Sequence, residues 1–439
     1  MSIAWNASTP EMDEIFSARN EVRTWIDFEV ALANAEAKVG LIPAEAAEAI
    51  ARHGDVELFD LEKLRQDIAF AVHPIMPFVR MFSSIVGAPH GEYVHWGATT
   101  QDVTDTGFVL RMQQADRLIA ADLDVLIDAL SRRAREHRDT PMAGRTHAQH
   151  AVPITFGYKL AVWVDELQRH RETLEGLRPR TLVGQFGGAT GTLASIGPVG
   201  MEIRTLMMQE LGLGEPRITW HVARDRIAHH AFILTLIASA IGRLGAEIVD
   251  LQRDEIGEVF EPFHHGKVGS STMPHKRNPS MSESMMTLAE IVKSESRISL
   301  TALGSRHERD KALYSVETSY VPRVWSMTHR LLRLCTTIVE GMEVDAERML
   351  SNLELSRGQL FSERALMTLA GRLGRQTGHD VIYDASMRAF DSGQHLRDAL
   401  AVDPTITERM TEDEIDALFD LGGITEVAGR LVDDVCGTD

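Results

Sequence analysis

The feature that most constrains this chain is a set of apolar stripes at helical spacing. Ile119, Leu123, Leu126 and Leu130 recur at steps of four, three and four, and Phe156, Leu160, Trp163 and Leu167 do the same. Ile237, Ile241, Leu244, Ile248 and Leu251 continue the pattern, as do Met281, Met285, Leu288 and Val292. Alternating steps of three and four keep side chains on one face of a 3.6-residue helix, so each stretch predicts a bundle helix with one buried stripe. From Ile233 to Ile241 nearly every residue is apolar. That predicts burial on more than one side, as at the centre of a large bundle or at a subunit interface. Helix starts are legible too. Thr9-Pro10-Glu11 reads as an N-cap, a proline at the first position and an acid in the first turn. Thr411-Glu412-Asp413-Glu414 reads as a capping box. No strand–helix–strand pattern, internal repeat or low-complexity tract is present. The expected fold class is all-α, with a helix bundle at its centre.

Composition bears mainly on partners. Lys and Arg total 45 against 64 Asp and Glu, a net charge of −19, and aromatics are 6%. An acidic balance argues against a nucleic-acid partner and against docking on an anionic membrane. The two cysteines, Cys335 and Cys436, are far apart, which suggests a reducing compartment and neither a disulfide framework nor a cysteine-based zinc site. Residues Met1 to Asn6 lack the basic and apolar stretches of a secretory signal, and the longest apolar run, Ala231 to Gly242, stops at Arg243, short of a membrane span. The expected location is cytoplasmic.

Four glycine-containing, non-periodic segments interrupt the helices: His95 to Thr106, Gly144 to Pro153, Gly184 to Gly200 and Phe263 to Pro279. In a helical protein such interruptions are where function tends to sit. The segment Gly269-Ser270-Ser271-Thr272-Met273-Pro274-His275-Lys276-Arg277-Asn278-Pro279 is the most unusual. Between Phe263 and Met281 there are Lys267, Lys276 and Arg277 and no acid, a local inversion of the overall charge that suits an anionic ligand. A solvated surface loop carrying basic residues would look the same. The segment is neither a phosphate-binding P-loop nor a Gly-x-Ser-x-Gly nucleophile elbow. Lys276 and Asn278 offer a cation and an amide donor for a carboxylate; Ser270 and Ser271 offer hydroxyls.

The second segment, Gly144-Arg145-Thr146-His147-Ala148-Gln149-His150, leads into a helix. Thr146 and Gln149 are neutral donors, and the His147 imidazole is a side chain of the type that moves protons. A lone histidine is more often structural than catalytic, but this polar cluster makes an idle one less expected. The third segment, His95 to Thr106, places Thr99, Thr100 and Gln101 where a helix N-cap series or an anion site could form, and the two readings are compatible. The histidine doublets His229-His230 and His264-His265 and the pair His147 and His150 lack a metal-site pattern, and no dinucleotide fingerprint is present. No metal or cofactor is expected.

Together the three segments resemble the fumarase/aspartase superfamily of lyases. The Gly-Ser-Ser-x-Met-Pro-x-Lys-x-Asn-Pro signature is complete at 269–279, and the Gly-Arg-Thr-His-x-Gln and Gly-Ala-Thr-Thr-Gln-Asp segments occur in the family's order. The branch most resembled holds adenylosuccinate lyase and 3-carboxy-cis,cis-muconate cycloisomerase. Gln185-Phe186-Gly187-Gly188-Ala189-Thr190-Gly191-Thr192-Leu193-Ala194 is especially similar to the cycloisomerase.

The resemblance implies a three-part helical chain, with an N-terminal part over 1–110, a central long-helix bundle over 111–355 and a C-terminal part over 356–439. It implies a homotetramer whose central helices form the common core and whose active sites draw on different subunits. Ser270 would be the general base, His147 the acid or a substrate-binding group, and Glu283 the residue that orients His147. Lys276 and Asn278 would hold the substrate carboxylate, and Thr99, Thr100, Gln101, Thr146, Gln149 and Ser271 would bind the rest. The implied activity is β-elimination or addition on a small di- or tricarboxylate. The cycloisomerase reaction is the leading reading, and a C–N lyase releasing fumarate from adenylosuccinate or another N-substituted aspartate is the alternative. An inactive structural member and a metal-dependent hydrolase are the other classes. Some positions depart from the branch. Adenylosuccinate lyases usually carry Arg-His-Asp where Arg65-Gln66-Asp67 stands, and Ser-Ser-Val-Glu-Arg where Tyr314-Ser315-Val316-Glu317-Thr318 stands. The cycloisomerase's Trp-x-x-Glu-Trp is missing after His307-Glu308-Arg309.

Overall fold

A computed structural model describes residues 7–263, 272–273 and 275–438. The fold is all-α. Its principal helices are α1 (Ala18–Lys38), α2 (Leu61–Ala71), α3 (Thr100–Glu136), α4 (Phe156–Thr181), α5 (Asp225–Leu251), α6 (Ser280–Ser296), α7 (Glu317–Gly341), α8 (Ser362–Leu373) and α9 (Arg375–Ser392). The apolar stripes are the buried faces of these helices. Ile119, Leu123, Leu126 and Leu130 are fully buried on α3, as are Ile237, Ile241, Leu244, Ile248 and Leu251 on α5. On α6 Met285, Leu288 and Val292 are buried, while Met281, in its first turn, is only half-buried. Thr9 caps a short helix over Pro10–Ile15, and Thr411 and Glu414 form the reciprocal capping box.

By contacts the chain divides into two compact units. The first comprises Met1–Asp124, Arg169–Gly242 and Thr287–Arg333; the second comprises Val125–Gln168, Arg243–Met286 and Leu334–Asp439. The first unit has an aromatic cluster, in which Phe78 meets Trp25 edge-on at 5.5 Å and stacks on Phe59 at 5.7 Å. Such offset geometries suit the ring quadrupoles. In the same unit Thr235 on α5 donates to Ser296 at the end of α6, at 2.6 Å. The second unit contains a separate apolar cluster around Leu369, Ile382, Ala385, Leu396 and Leu400, built by α8, α9 and the turns after them.

Two findings differ from the sequence expectation. The Gly144–Pro153 segment is not a loop but most of an antiparallel hairpin, β1 (Pro141–Thr146) with β2 (Gln149–Thr155). Helix α5 is long and apolar enough, by length and composition, to cross a membrane, with a mean hydropathy of 1.8 in its most apolar window. An uninterrupted apolar run ends at Arg243, whereas a helical average absorbs a single arginine. Half of that window is buried inside the fold, as in a core helix.

Candidate active site

In the first unit the site begins at the N-terminus of α3. Asp102 stands at the third helical position, and its carboxylate reaches back to accept from the Thr99 amide at 3.1 Å, one half of a capping box. The same carboxylate accepts from the Gly187 and Gly188 amides at 3.1 and 2.9 Å, and His221 Nε2 lies 2.9 Å from it. Asp102 is completely buried. With acceptors only on that carboxylate, His221 must be the donor. Four donors thus fix Thr99 and the Gly187–Gly188 turn to one point. Gly97, just upstream, has φ +74, and a Cβ there would come within 2.3 Å of Ile196, so this turn requires glycine.

Thr100 and Gln101 have different surroundings. The Met76 amide donates to His73 Nδ1, which leaves Nε2 as the protonated nitrogen of a neutral His73, 3.2 Å from the Thr100 hydroxyl. His73, from upstream of this segment, is a partner of Thr100 that sequence reasoning missed. The Gln101 amide is occupied within the chain: Nε2 donates to Asp105 and to the His221 carbonyl, at 3.1 and 2.8 Å, and Oε1 accepts from Arg309 at 3.0 Å. Asp105 in turn accepts two hydrogen bonds from Arg224, at 2.7 and 3.0 Å, and Arg224 also donates to Glu317. All three are buried, with Arg224 stacked over Trp220 at 4.7 Å. Two carboxylates share one guanidinium, and burial pushes the Glu317 carboxyl up to about 7 in spite of Arg224.

In the second unit His147 and Ala148 form the two-residue turn of the hairpin, both with left-handed φ, +53 and +59. This is the type I′ pattern that matches strand twist, adopted here without the usual Asn-Gly. Thr146, His147 and Gln149 are exposed at its tip. The hairpin is anchored just behind them. Arg145 makes a bidentate pair with the fully buried Glu258, at 2.9 and 2.7 Å, and Asn352 donates to the same carboxylate at 2.8 Å. Burial and the nearby Arg145 charge lower the pKa of His150. Gly144 lies at the register shift between the strands, where a Cβ would be 2.6 Å from the Val152 carbonyl.

The signature segment enters α6 in the same unit. Lys276, Asn278 and Glu283 line one cavity of about 760 Å3, together with Gln252, Arg253 and Glu255. Gln252 fixes the segment by donating to the Arg277 carbonyl at 2.7 Å and accepting from the Glu261 amide at 3.0 Å. The buried Glu261 carboxylate accepts from the Met281 and Ser282 amides and so caps α6. Arg277 lies over the Phe263 ring at 4.5 Å and reaches Glu343. Lys276 makes no ion pair or hydrogen bond through its ammonium among the described residues. Ser270 and Ser271 lie outside the described residues, as do Lys267, His264 and His265. Of the histidines weighed as metal ligands, His230 is locked between Asp116 and Thr181 at 3.0 Å each.

The geometry therefore brings Lys276, Asn278 and Glu283 together. It holds Thr146, His147 and Gln149 on one turn, and Thr99, Thr100 and Gln101 on one helix start. Asp102, His73, Arg224 and Glu258 support these groups and went unnoticed in the sequence. Their partners lie far along the chain; only the Asp at the third helical position was a local signal.

An all-α chain with this signature segment entering a helix defines a class of carboxylate-processing lyases, and comparison agrees. Residues 4–293 match the family model described as lyase, and 358–435 match adenylosuccinate lyase C-terminus. The N-acetyl-S-(2-succino)cysteine lyase of Dickeya dadantii is 38% identical over 98% of this chain and 94% of its own. The 3-carboxy-cis,cis-muconate cycloisomerase of Pseudomonas putida is 40% identical over 93% of this chain and 98% of its own. The solved structure of a fumarate lyase from Mesorhizobium sp. BNC1 superposes with a TM-score of 0.93 at 36% identity, covering 100% of both chains. The chain belongs to the fumarase/aspartase superfamily and is an enzyme of that superfamily.

Proposed function

We propose that the protein catalyses general base β-elimination, or the reverse addition, on a small di- or tricarboxylate. The observation that carries the reading is the convergence of Lys276, Asn278 and Glu283 on one cavity at the end of the signature segment. A C–H beside a carboxylate is weakly acidic, and removing its proton places a second negative charge on that carboxylate. Preorganised cation and amide donors lower that barrier most. Lys276 and Asn278 supply them. Ser270, acting as its alkoxide, takes the proton and becomes the neutral hydroxyl, and the electron pair forms the new C=C bond. The bond to the leaving atom breaks with its pair going to that atom, which His147 then protonates. Glu283 orients His147, while Thr99, Thr100, Thr146, Gln149 and Ser271 bind the substrate; Gln101, whose amide is already bonded to Asp105, the His221 carbonyl and Arg309, holds that helix start in place rather than binding substrate itself. The working form is a homotetramer with sites completed by neighbouring copies.

The leading substrate is 3-carboxy-cis,cis-muconate, in which a carboxylate oxygen adds to the conjugated system and a proton is delivered to carbon. A second reading is elimination of fumarate from a 2-substituted succinate. It is supported by the extent of the match to the succinocysteine enzyme, and by the missing Trp-x-x-Glu-Trp. Thr318 and Gln66 weigh against a nucleotide substituent. The test is a panel of carboxymuconate, adenylosuccinate, argininosuccinate and N- and S-substituted succinates, followed by the ultraviolet change of the conjugated product. Turnover of one or more is expected; turnover of none removes the chemistry. Ser270→Ala should abolish turnover and preserve binding, and near-normal turnover would remove serine as the base.

A further inference from the structure

The first unit holds a second cavity, of about 380 Å3, one helical turn along α3 from Gln101. Its body is apolar: Val22 and Trp25 from α1, Leu61, Leu64 and Ile68 from α2, and Phe108 from α3. That volume exceeds what a benzyl or branched alkyl group fills, and its lining matches the usual composition of small-molecule pockets. Thr104 and Asp105 border it, and Asp105 is the residue that receives the Gln101 amide.

The buried charged groups on its wall are compensated. Arg111 is buried and pairs with Glu21 at 3.0 Å. Asp105 and Glu317 are both spent on the buried Arg224 behind them. Arg65 lies on the solvent-exposed rim, where it pairs with Glu62 on its own helix at 2.6 Å. The remaining polar side chains, Thr104, Tyr314 and Thr318, are neutral. A phosphate or carboxylate entering the body of this cavity would have to give up its hydration without meeting an uncompensated buried cation. An uncharged group carries no such penalty and gains by moving its apolar surface out of water.

We propose that this cavity binds an uncharged, mainly apolar substituent of the substrate, aryl or branched alkyl, carrying one neutral hydrogen-bonding atom. The proposal rests on the 2-substituted succinate reading, because it makes the bound group the part that departs. It deepens that reading by excluding phosphorylated leaving groups on electrostatic grounds.

The test uses inert probes on the full chain, so it does not depend on turnover. N-benzylacetamide and benzyl phosphate are titrated and followed by ligand-observed NMR. N-benzylacetamide should bind at least about tenfold more tightly than benzyl phosphate, a difference of roughly 1.4 kcal/mol. Thr318→Trp, at an exposed position on the cavity wall, should weaken N-benzylacetamide by about tenfold or more. Ile68→Trp, half-buried on the opposite element, should do the same, and a variant is compared only if its thermal midpoint matches the parent. Equal or tighter binding of benzyl phosphate overturns the proposal, and so does unchanged affinity in both variants. N-benzylacetamide binding with no succinate turned over upholds the cavity's chemistry and removes the elimination reading. Turnover of N-benzylaspartate without probe binding upholds elimination and removes the cavity.

Discussion

At the scale of single residues, the molecule contains several buried carboxylates with very different surroundings. Asp102 and Glu258 are saturated with donors, whereas Glu36 on α1 is fully buried with neither oxygen hydrogen-bonded among the described residues. Burial, reinforced by the Glu29 charge, pushes Glu36 up to about 9 from 4.5. Between those values the folded chain holds a proton that the unfolded chain has lost. Its contribution is therefore complete below about 4.5 and declines as pH rises toward 9. Glu36→Gln should flatten the fall in urea midpoint between about pH 5 and pH 8; an unchanged slope would mean the carboxyl is ionised in the fold. Glu258 predicts the opposite kind of sensitivity. Arg145→Met leaves its charge buried with Asn352 alone and should cost roughly 3–5 kcal/mol by chemical denaturation. Adding Glu258→Gln should recover part of that loss.

At the scale of elements, the long helices were legible because a three-four step of large apolar residues has few other meanings. The hairpin was not. Gly144 breaks the alternation of β1, Pro153 interrupts β2, and His147-Ala148 is not a sequence anyone would choose for a type I′ turn. The misfit is informative, since a non-glycine residue held at left-handed φ costs about 1 kcal/mol or more and persists where something else requires it. His147→Gly should therefore raise the thermal midpoint slightly while sharply lowering turnover of whichever dicarboxylate the enzyme accepts. Retained turnover would make the histidine a mere turn residue. The carboxylate-handling end of the site was legible in part: Lys276 and Asn278 stand in the motif, Glu283 follows from the family resemblance, and the three share a cavity. The Asp105–Arg224–Glu317 network was illegible, because Arg224 sits at a helix start that reads as ordinary surface and its partners are distant in sequence.

At the scale of the whole molecule, α5 carries an exposed apolar face. Phe232 and Leu236, one turn apart, remain 38% and 50% exposed on a helix otherwise lined with buried Ile, Leu and Ala. In the proposed tetramer, four chains of 48.8 kDa each, this face would be covered. Leu236→Arg should lower the mass measured by light scattering to that of a dimer or monomer; an unchanged tetramer would place the interface elsewhere. The same helix has a consequence for biosynthesis. Its own last residue, Leu251, is polymerised well before Ser296, the α6 residue that Thr235 bonds. At ordinary ribosomal speeds of about 5–20 residues per second, roughly 2–9 s separate the two. For that interval the nascent chain carries a membrane-length apolar helix without its later partners. The pace of translation, and the chaperones that shield such segments, therefore bear on how much enzyme a cell recovers.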